Sequence, residues 1–220
     1  MKTLPSEIER GSMAIIAEEL KARGITPPPE NTAVVMRCIH ASADFDYAEN
    51  LRFTPGAVGN AVEALQKGAE IVTDTNMALA GISRPGLQKL GGAAYCFMAE
   101  DFIAASAKAQ GTTRAAAAMD YAAARCPNAV FAVGNAPTAL FCIAKQIEAG
   151  LRPALVIAAP VGFVNVSEAK ERVFHVCEEY GVPAIAAMGR KGGSSIAAAI
   201  CNALIYSAAD MLDPKNRGWS

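Results

Sequence analysis

Short apolar runs and amphipathic segments take turns along this chain. Almost wholly apolar runs, which are typical of strands covered on both faces of a sheet, lie at 70–73, 94–98, 129–133, 154–158 and 184–188. Hydrophobic residues recur at helical spacing over 112–125, 136–149, 166–179 and 193–208. Strands that alternate with helices imply parallel βαβ crossovers. The sequence therefore predicts an α/β fold with a doubly wound, mostly parallel sheet of about five strands.

Three amphipathic segments precede the first apolar run. The pattern predicts two N-terminal helices, around 8–20 and over 31–43, and a third helix over 54–68 that Gly68 ends. For about five parallel strands at this chain length, we expect a flavodoxin-like three-layer αβα arrangement. No internal repeat or Gly/Ser linker divides the chain, so we expect a single domain over residues 1–220 with a frayed tail over 212–220.

Composition and charge exclude several classes of protein. Of the 220 residues, 52% are hydrophobic and 19% charged, which is far from the composition of a disordered chain. The formal net charge of −1 provides no global positive field, so we expect neither nucleic acid nor a membrane as a partner. The N-terminus MKTLPSEIERGS lacks a secretory signal, so we expect a cytoplasmic protein. The six cysteines form no CxxC pair and neither histidine has a metal-ligand spacing, so we expect reduced thiols and no metal.

The residues that follow the predicted strands are the candidates for ligand binding, because open parallel sheets bind ligands beyond the carboxyl ends of their strands. Gly134 and Asn135 lead from a strand into a helix, where bare amide N–H groups attract an anion or simply form a helix cap. Gly192, Gly193 and Ser194 open the last helix in the same way. These segments match neither GxxxxGK[ST] nor GxGxxG, so nucleotide binding has little support.

Cations stand at two of these helix starts. Arg114 lies in the first turn of one predicted helix, and Arg190 and Lys191 immediately precede another. A cation at a helix N-terminus costs about 0.3–1 kcal/mol unless an anion is near. A ligand with several carboxylates would supply that anion. Salt bridges to acidic residues elsewhere in the fold are the alternative.

His40 is one of two histidines and the candidate for proton transfer. Helical spacing places Arg37 three residues before it and Asp44 four residues after it. Asp44 could fix the imidazole tautomer and raise its pKa, which would suit general acid–base catalysis near neutral pH. The alternative is a solvated or structural histidine. His175 lies among glutamates in the middle of a helix, which indicates a solvated face.

Six segments of the chain, in their order and spacing, resemble the precorrin-8X methylmutase family. They are GSMAII from Gly11, MRCIH from Met36, GNAPTAL from Gly134, PVGFV from Pro160, YGVP from Tyr180 and GRKGGS from Gly189. The resemblance implies an isomerase that moves a methyl group from C-11 to C-12 of precorrin-8X or cobalt-precorrin-8 by an intramolecular 1,5-shift. The product would be hydrogenobyrinic acid or its cobalt analogue. The resemblance also implies a homodimer that needs no methyl donor or cofactor.

The resemblance assigns roles to particular residues. It implies that His40, in the RxxH motif, is the catalytic proton donor and acceptor. It also implies that Ser12 and Arg37 contact the substrate. Ser83 and Arg84 match a Thr-Arg pair of the family in which the hydroxyl is retained and the methyl is lost.

The implied substrate carries several acetate and propionate side chains. Such a polyanion fits the expectation that Arg114, Arg190, Lys191 and the glycine-rich helix starts bind carboxylates. The segments 42–50 and 95–110 depart from the family pattern, so contacts there are not transferred. Two other interpretations remain at this point. One is a tetrapyrrole carrier without catalysis, and the other is an α/β enzyme that acts on a nucleotide or a phosphorylated metabolite.

Overall fold

The structure, a computed structural model, describes residues 4–218. Its helices are α1 (Pro5–Ala22), α2 (Thr32–Ser42), α3 (Tyr47–Asn50), α4 (Ala57–Gln66), α5 (Asn76–Gly81), α6 (Arg84–Lys89), α7 (Asp101–Gln110), α8 (Arg114–Arg125), α9 (Pro137–Glu148), α10 (Val166–Glu179) and α11 (Ser194–Ala208). Its strands are β1 (Leu51–Phe53), β2 (Ile71–Thr73), β3 (Ala94–Tyr95), β4 (Val130–Val133), β5 (Leu155–Ala158) and β6 (Ala184–Ala187). A 3₁₀ helix over Pro214–Arg217 follows α11.

The six strands form one sheet in the order β1-β6-β5-β4-β2-β3. The five strands from β2 to β6 are mutually parallel, and in chain order they take the flavodoxin-like arrangement 2-1-3-4-5. The predicted fold class is therefore confirmed. The sequence pattern does not predict β1, which pairs antiparallel with β6 at the edge and places Arg52 opposite Ala186.

Helices cover the sheet on both faces, and the strand residues alternate between the two layers. On β4, Val130 and Ala132 pack in the layer that contains α1, α2, α4 and α11. Phe131 and Val133 pack in the layer that contains α8, α9 and α10. Successive side chains of a strand point to opposite faces. All four residues are buried because helices cover both faces of the sheet. This two-sided burial explains why the strands are uninterrupted apolar runs.

The topology brings the polar loops to one edge of the sheet. The chain runs from β2 outward to β3 and then returns to β4 on the other side of β2. This reversal is the topological switch point, beside which ligands of open α/β proteins bind. The loops that follow β2, β4, β5 and β6, at 74–75, 134–136, 159–165 and 188–193, share this edge.

The C-terminal tail contains a short capped helix. Asp213 caps the Pro214–Arg217 helix, since the Asp213 carboxylate accepts a hydrogen bond from the Lys215 amide at 3.0 Å. Pro214 is buried, and the side chain of Arg217 is only 4% exposed. The last two residues lie outside the described range. The tail is therefore packed against the body of the protein at Pro214 and Arg217, and the fraying expected for 212–220 stays a prediction.

Candidate active site

A cavity of about 310 Å³ lies between α1, α2 and the turn that follows α2. It is lined by Ser12, Ile15, Ile16, Glu19, Ile39, His40, Ala43 and Phe45. The helix α2 buries Val35 and Ile39 against the core, which leaves His40 exposed in its last turn. Ser12 uses its hydroxyl to donate a hydrogen bond to the Ile8 carbonyl oxygen at 3.1 Å. The structure therefore brings together two predicted site residues, Ser12 and His40.

The charge environment of His40 differs from the one that the sequence suggests. Partial burial lowers the pKa of His40, and the nearby Arg37 cation lowers it further, while the Glu9 carboxylate opposes them. Asp44 does not raise it, because α2 ends in the left-handed residue Ala43 and the Asp44 carboxylate turns away to bind Lys191. The expectation of a raised pKa is therefore wrong. The imidazolium form of His40 is a stronger acid than a free imidazolium.

Arg37 is turned toward a buried carboxylate. Its guanidinium Nη1 donates to Glu9 Oε1 at 2.7 Å, and its side chain is 13% exposed. The guanidinium also lies over the ring of Tyr206, 5.2 Å from the ring centroid. Burial alone would raise the pKa of Glu9, but the hydrogen bonds and charges of Arg217 and Arg37 outweigh it and hold this pKa below its usual range. A substrate contact of Arg37 stays a prediction.

Lys191 ties the loop after β6 to the turn after α2. Its Nζ donates to Asp44 Oδ2 at 2.6 Å and to Asp46 Oδ2 at 2.5 Å, and these hydrogen bonds raise the pKa of Lys191 above its usual value. The structure therefore shows a salt bridge within the fold for Lys191, and a substrate contact of Lys191 stays a prediction. Arg190 remains exposed and lies over the Phe163 ring, 5.4 Å from the ring centroid.

A buried lysine also binds the loop after β6. Lys170 on α10 is completely buried, and its Nζ donates to the carbonyl oxygens of Gly189 and Lys191, each at 2.8 Å. Burial lowers the pKa of Lys170 to about 8. This ammonium group fixes the path of the loop that carries Arg190 beside the end of α2.

The anion site expected at Gly134 and Asn135 is occupied by the protein itself. The Gly134 amide donates to Asp74 Oδ1 at 2.8 Å, while the Asn135 and Ala136 amides donate to Asp74 Oδ2 at 2.9 and 2.8 Å. Asp74 follows β2 and is 1% exposed. Its burial raises its pKa, and the three amide donors oppose that shift. The expectation of bare amides is wrong, and contacts through the exposed Asn135 side chain stay a prediction.

The second glycine-rich segment packs tightly against the sheet. The Gly193 amide donates to the Ala159 carbonyl oxygen at 2.7 Å. A Cβ atom on Gly192 would lie 2.3 Å from that same oxygen, so only glycine fits there. Ser194 shares a hydroxyl hydrogen bond of 2.7 Å with Thr75. These contacts join the start of α11 to the ends of β2 and β5, and a substrate contact of this segment stays a prediction.

Three predicted substrate contacts lie away from the His40 cavity. Ser83 caps α6, and its amide donates to Asn202 Oδ1 at 2.8 Å, in the middle of α11. Arg84 is exposed and lines a different cavity of about 270 Å³. Arg114 is exposed in the first turn of α8, beside the Thr113 cap. The structure therefore does not place Ser83, Arg84 or Arg114 in the cavity that holds His40.

Four residues of this region escape the sequence-based prediction. They are Glu9, Asp74, Lys170 and Arg217. Glu9 and Lys170 are charged residues on the buried side of amphipathic helices, and that exception to the pattern is the signal that could have found them. Asp74 stands directly after a strand at the crevice, which is a weaker signal. Nothing local marks Arg217.

Among residues 4–218, no group of three or more His, Cys, Asp or Glu side chains is arranged to hold a metal ion. None of the helices in the same range is both long and apolar enough to cross a membrane.

Comparison with known proteins agrees with the fold. The sequence profile described as "Precorrin-8X methylmutase" matches residues 7–207. The cobalt-precorrin-8 methylmutase of Salmonella typhimurium is 40% identical over 209 residues, covering 92% of this chain and 95% of the relative. The precorrin-8X methylmutase of Pseudomonas aeruginosa is 39% identical over 198 residues, covering 90% and 93%.

A solved structure, the precorrin-8x methyl mutase of Thermus thermophilus, superposes with a TM-score of 0.83 at 39% identity and covers 92% of this chain and 98% of its own. The chain is thus an isomerase of the methylmutase class, whose members move a methyl group within one molecule. Within that class it belongs to the precorrin-8X methylmutase family.

Proposed function

We propose that this chain moves a methyl group from C-11 to C-12 of precorrin-8X or cobalt-precorrin-8, with His40 as the general acid and base. The product is hydrogenobyrinic acid or cobyrinic acid. The observation that carries the proposal is the position of His40, which is exposed beside Ser12 in a cavity and has a lowered pKa. The family membership supplies the reaction class.

His40 acts by lending a proton to the substrate. Its imidazolium protonates a nitrogen of the tetrapyrrole, which draws electron density from the conjugated ring and weakens the bond between the methyl group and C-11. The methyl group then bonds to C-12, and the neutral imidazole takes the proton back. The reaction is balanced without a methyl donor or a redox partner. A lowered pKa makes the imidazolium a stronger proton donor, while it reduces the fraction of His40 that is protonated near neutral pH.

The surroundings of the cavity suit a large polyanion with an apolar ring. Arg190 is exposed on the loop that Lys170 and Lys191 fix, and it can receive a peripheral carboxylate. Phe163 and Val164 are 81% and 77% exposed on the neighbouring loop after β5. Exposed apolar side chains of this kind would be covered by the face of the ring.

The active enzyme is a homodimer in this proposal. A single-chain cavity of about 310 Å³ is small for a tetrapyrrole, since pockets for drug-sized ligands reach about 1,000 Å³. Ile8 and Ile15 on α1 are 51% and 63% exposed beside this cavity, so a second copy that covers them would enlarge the site. Light scattering after gel filtration is expected to give twice the 22.9 kDa chain mass. A monomer that is fully active would refute this part.

The test of the reaction is an anaerobic visible-absorption time course with precorrin-8X and with cobalt-precorrin-8. We expect wild type to form the corrin spectrum with one of them. His40→Ala should lower kcat by about 10² to 10⁴-fold, the usual contribution of a general acid. His175→Ala is the matched control, since His175 is the other histidine and its side chain is 72% exposed on α10.

The outcomes separate the alternatives. If wild type only shifts the substrate band and forms no product, the chain is a tetrapyrrole carrier and the catalytic proposal fails. If His40→Ala converts substrate at the wild-type rate, the role of His40 fails. A nucleotide-binding function has lost its main support, because the backbone N–H groups of the GNAPT segment already donate hydrogen bonds to the Asp74 carboxylate.

The cytoplasm is the proposed location. Cys38, Cys177 and Cys201 are buried free thiols, and free thiols are typical of proteins in the reducing cytoplasm. Fractionation of expressing cells should recover the activity with cytoplasmic enzymes, and recovery with the periplasmic fraction would contradict this.

A further inference from the structure

A buried ion cluster joins the C-terminal tail to the helix that carries His40. The Glu9 carboxylate on α1 accepts hydrogen bonds from Arg37 at 2.7 Å and from Arg217 at 2.8 and 2.9 Å. The side chains of Glu9, Arg37 and Arg217 are 6%, 13% and 4% exposed. Both guanidinium groups lie over the ring of Tyr206, 5.2 and 4.5 Å from its centroid. One carboxylate and one ring therefore fix two cations at once.

The tail is fastened at a second point that lies on the surface. The Arg10 guanidinium donates to both oxygens of Asp213, at 2.7 and 2.9 Å. These two side chains are 40% and 48% exposed. Both Asp213 and Arg217 lie beyond residues 7–207, the part of the chain that the family profile matches. The buried contact of Arg217 thus joins the region around the RxxH motif to a part of the chain that the family profile does not cover.

The cluster acts on His40 through charge and through geometry. Arg37 stands one helical turn before His40 on α2, so the orientation of its guanidinium sets the charge beside the imidazole. The charges that bear on His40 come from three elements: Arg37 on α2, Glu9 on α1 and Arg217 on the tail. Glu19 on α1 also lines the cavity. In the turn after α2, Asp44 and Asp46 are engaged with Lys191.

We propose that Arg217 is a positioning residue of this enzyme, which clamps Glu9 so that Arg37 is correctly oriented and the charge environment of His40 is set. The role in catalysis rests on the proposed function of His40. In this clamp the guanidinium groups of Arg37 and Arg217 share the Glu9 carboxylate. Loss of Arg217 and loss of the Glu9 charge therefore change the net charge near His40 in opposite directions. Removing Arg217 takes away a positive charge, whereas neutralising Glu9 takes away the negative charge between two arginines.

The test is an NMR titration of His40 in the full-length protein labelled at histidine. The chain has two histidines, so a His40→Ala sample assigns the signals. We expect the pKa of His40 to rise in Arg217→Gln and to fall in Glu9→Gln. Arg217→Lys keeps the charge and should return it toward the wild-type value. Arg10→Gln is the matched control, because it breaks only the exposed tail contact and should leave the pKa unchanged.

Two results would overturn the proposal. One is a wild-type pKa of His40 in a folded Arg217→Gln variant. The other is a shift in the same direction for Arg217→Gln and Glu9→Gln, which a merely structural role of the tail would produce. If Arg217→Gln unfolds, Arg217→Lys and Glu9→Gln still decide the matter, since the first should behave as wild type and the second should lower the pKa.

The pH profile of kcat/KM provides the link to catalysis. The alkaline limb, on which the His40 imidazolium loses its proton, should move with the NMR pKa of His40 in each variant, while KM changes less than kcat. If wild type converts no tetrapyrrole substrate, the proposed function fails and the titration alone still tests the clamp. If wild type is active and the profile of Arg217→Gln matches it, the positioning role fails while the proposed function stands.

Discussion

The hydrogen bonds of Asp74 predict a large loss of stability in Asp74→Ala. The carboxylate accepts three backbone N–H groups at 2.8 to 2.9 Å at the ends of β2 and β4. An amide that is buried without a partner costs about 1–3 kcal/mol, so three of them, partly rescued by water in the vacated space, should cost about 4 kcal/mol. For a chain of this length each kcal/mol lowers Tm by about 2–4 °C, which gives a fall of about 8–16 °C.

Urea unfolding followed by far-UV circular dichroism measures this loss. Asp74→Asn keeps the shape but presents an NH₂ group to amide donors, so it should also destabilise the protein strongly. The control is Asp120→Ala, an exposed aspartate on α8 that should change stability by no more than about 0.5 kcal/mol. This prediction would be refuted if Asp74→Ala lowered the free energy of unfolding by less than about 1 kcal/mol while the dependence of that free energy on urea concentration stayed unchanged.

Two further predictions concern the same edge of the sheet. In Gly134→Ala the new Cβ would lie 2.7 Å from Ser194 Cα, so we expect overpacking to cost about 1–3 kcal/mol in thermal unfolding, and an unchanged Tm would contradict the close approach. For Lys170, the folded pKa of about 8 lies below the ordinary 10.5. The unfolded chain therefore binds more protons between these values, and stability rises with pH there. Urea unfolding at several pH values gives the free energy of unfolding of wild type and of Lys170→Met. The difference between the two should rise with pH between about 8 and 10.5, and a difference that does not change with pH would contradict this prediction.

Local patterns predict the central sheet well because its strands are buried on both faces. The run at 129–133 contains β4 (Val130–Val133), and the run at 184–188 contains β6 (Ala184–Ala187). The strand β1 escapes prediction because it has three residues and its partner β6 lies far along the chain. The helix α7 also escapes, because it buries only Ile103 and Ala107 and so shows little hydrophobic periodicity.

The candidate site is less predictable than the fold because its decisive contacts are long-range. His40 stands in a recognisable motif, and its place in a cavity with Ser12 agrees with that motif. The partner of Gly134 is Asp74, 60 positions away, and the partner of Glu9 is Arg217, 208 positions away. No periodicity or helix-start rule encodes such pairs. A rule that treats every helix start as an open anion site therefore fails where the protein supplies its own carboxylate.

The short outer strands have a consequence for how this chain can associate. If a long parallel strand stood at the edge of the sheet, its unpaired backbone N–H and C=O groups could pair with a strand of another molecule and lead to aggregation. Here one edge is the three-residue β1 and the other is the two-residue β3. On β1, Arg52 adds an exposed charge that pairs with Glu171 at 3.2 Å. Neither edge provides a long template for continuing the sheet into another molecule, so the proposed homodimer is expected to form through helices and loops.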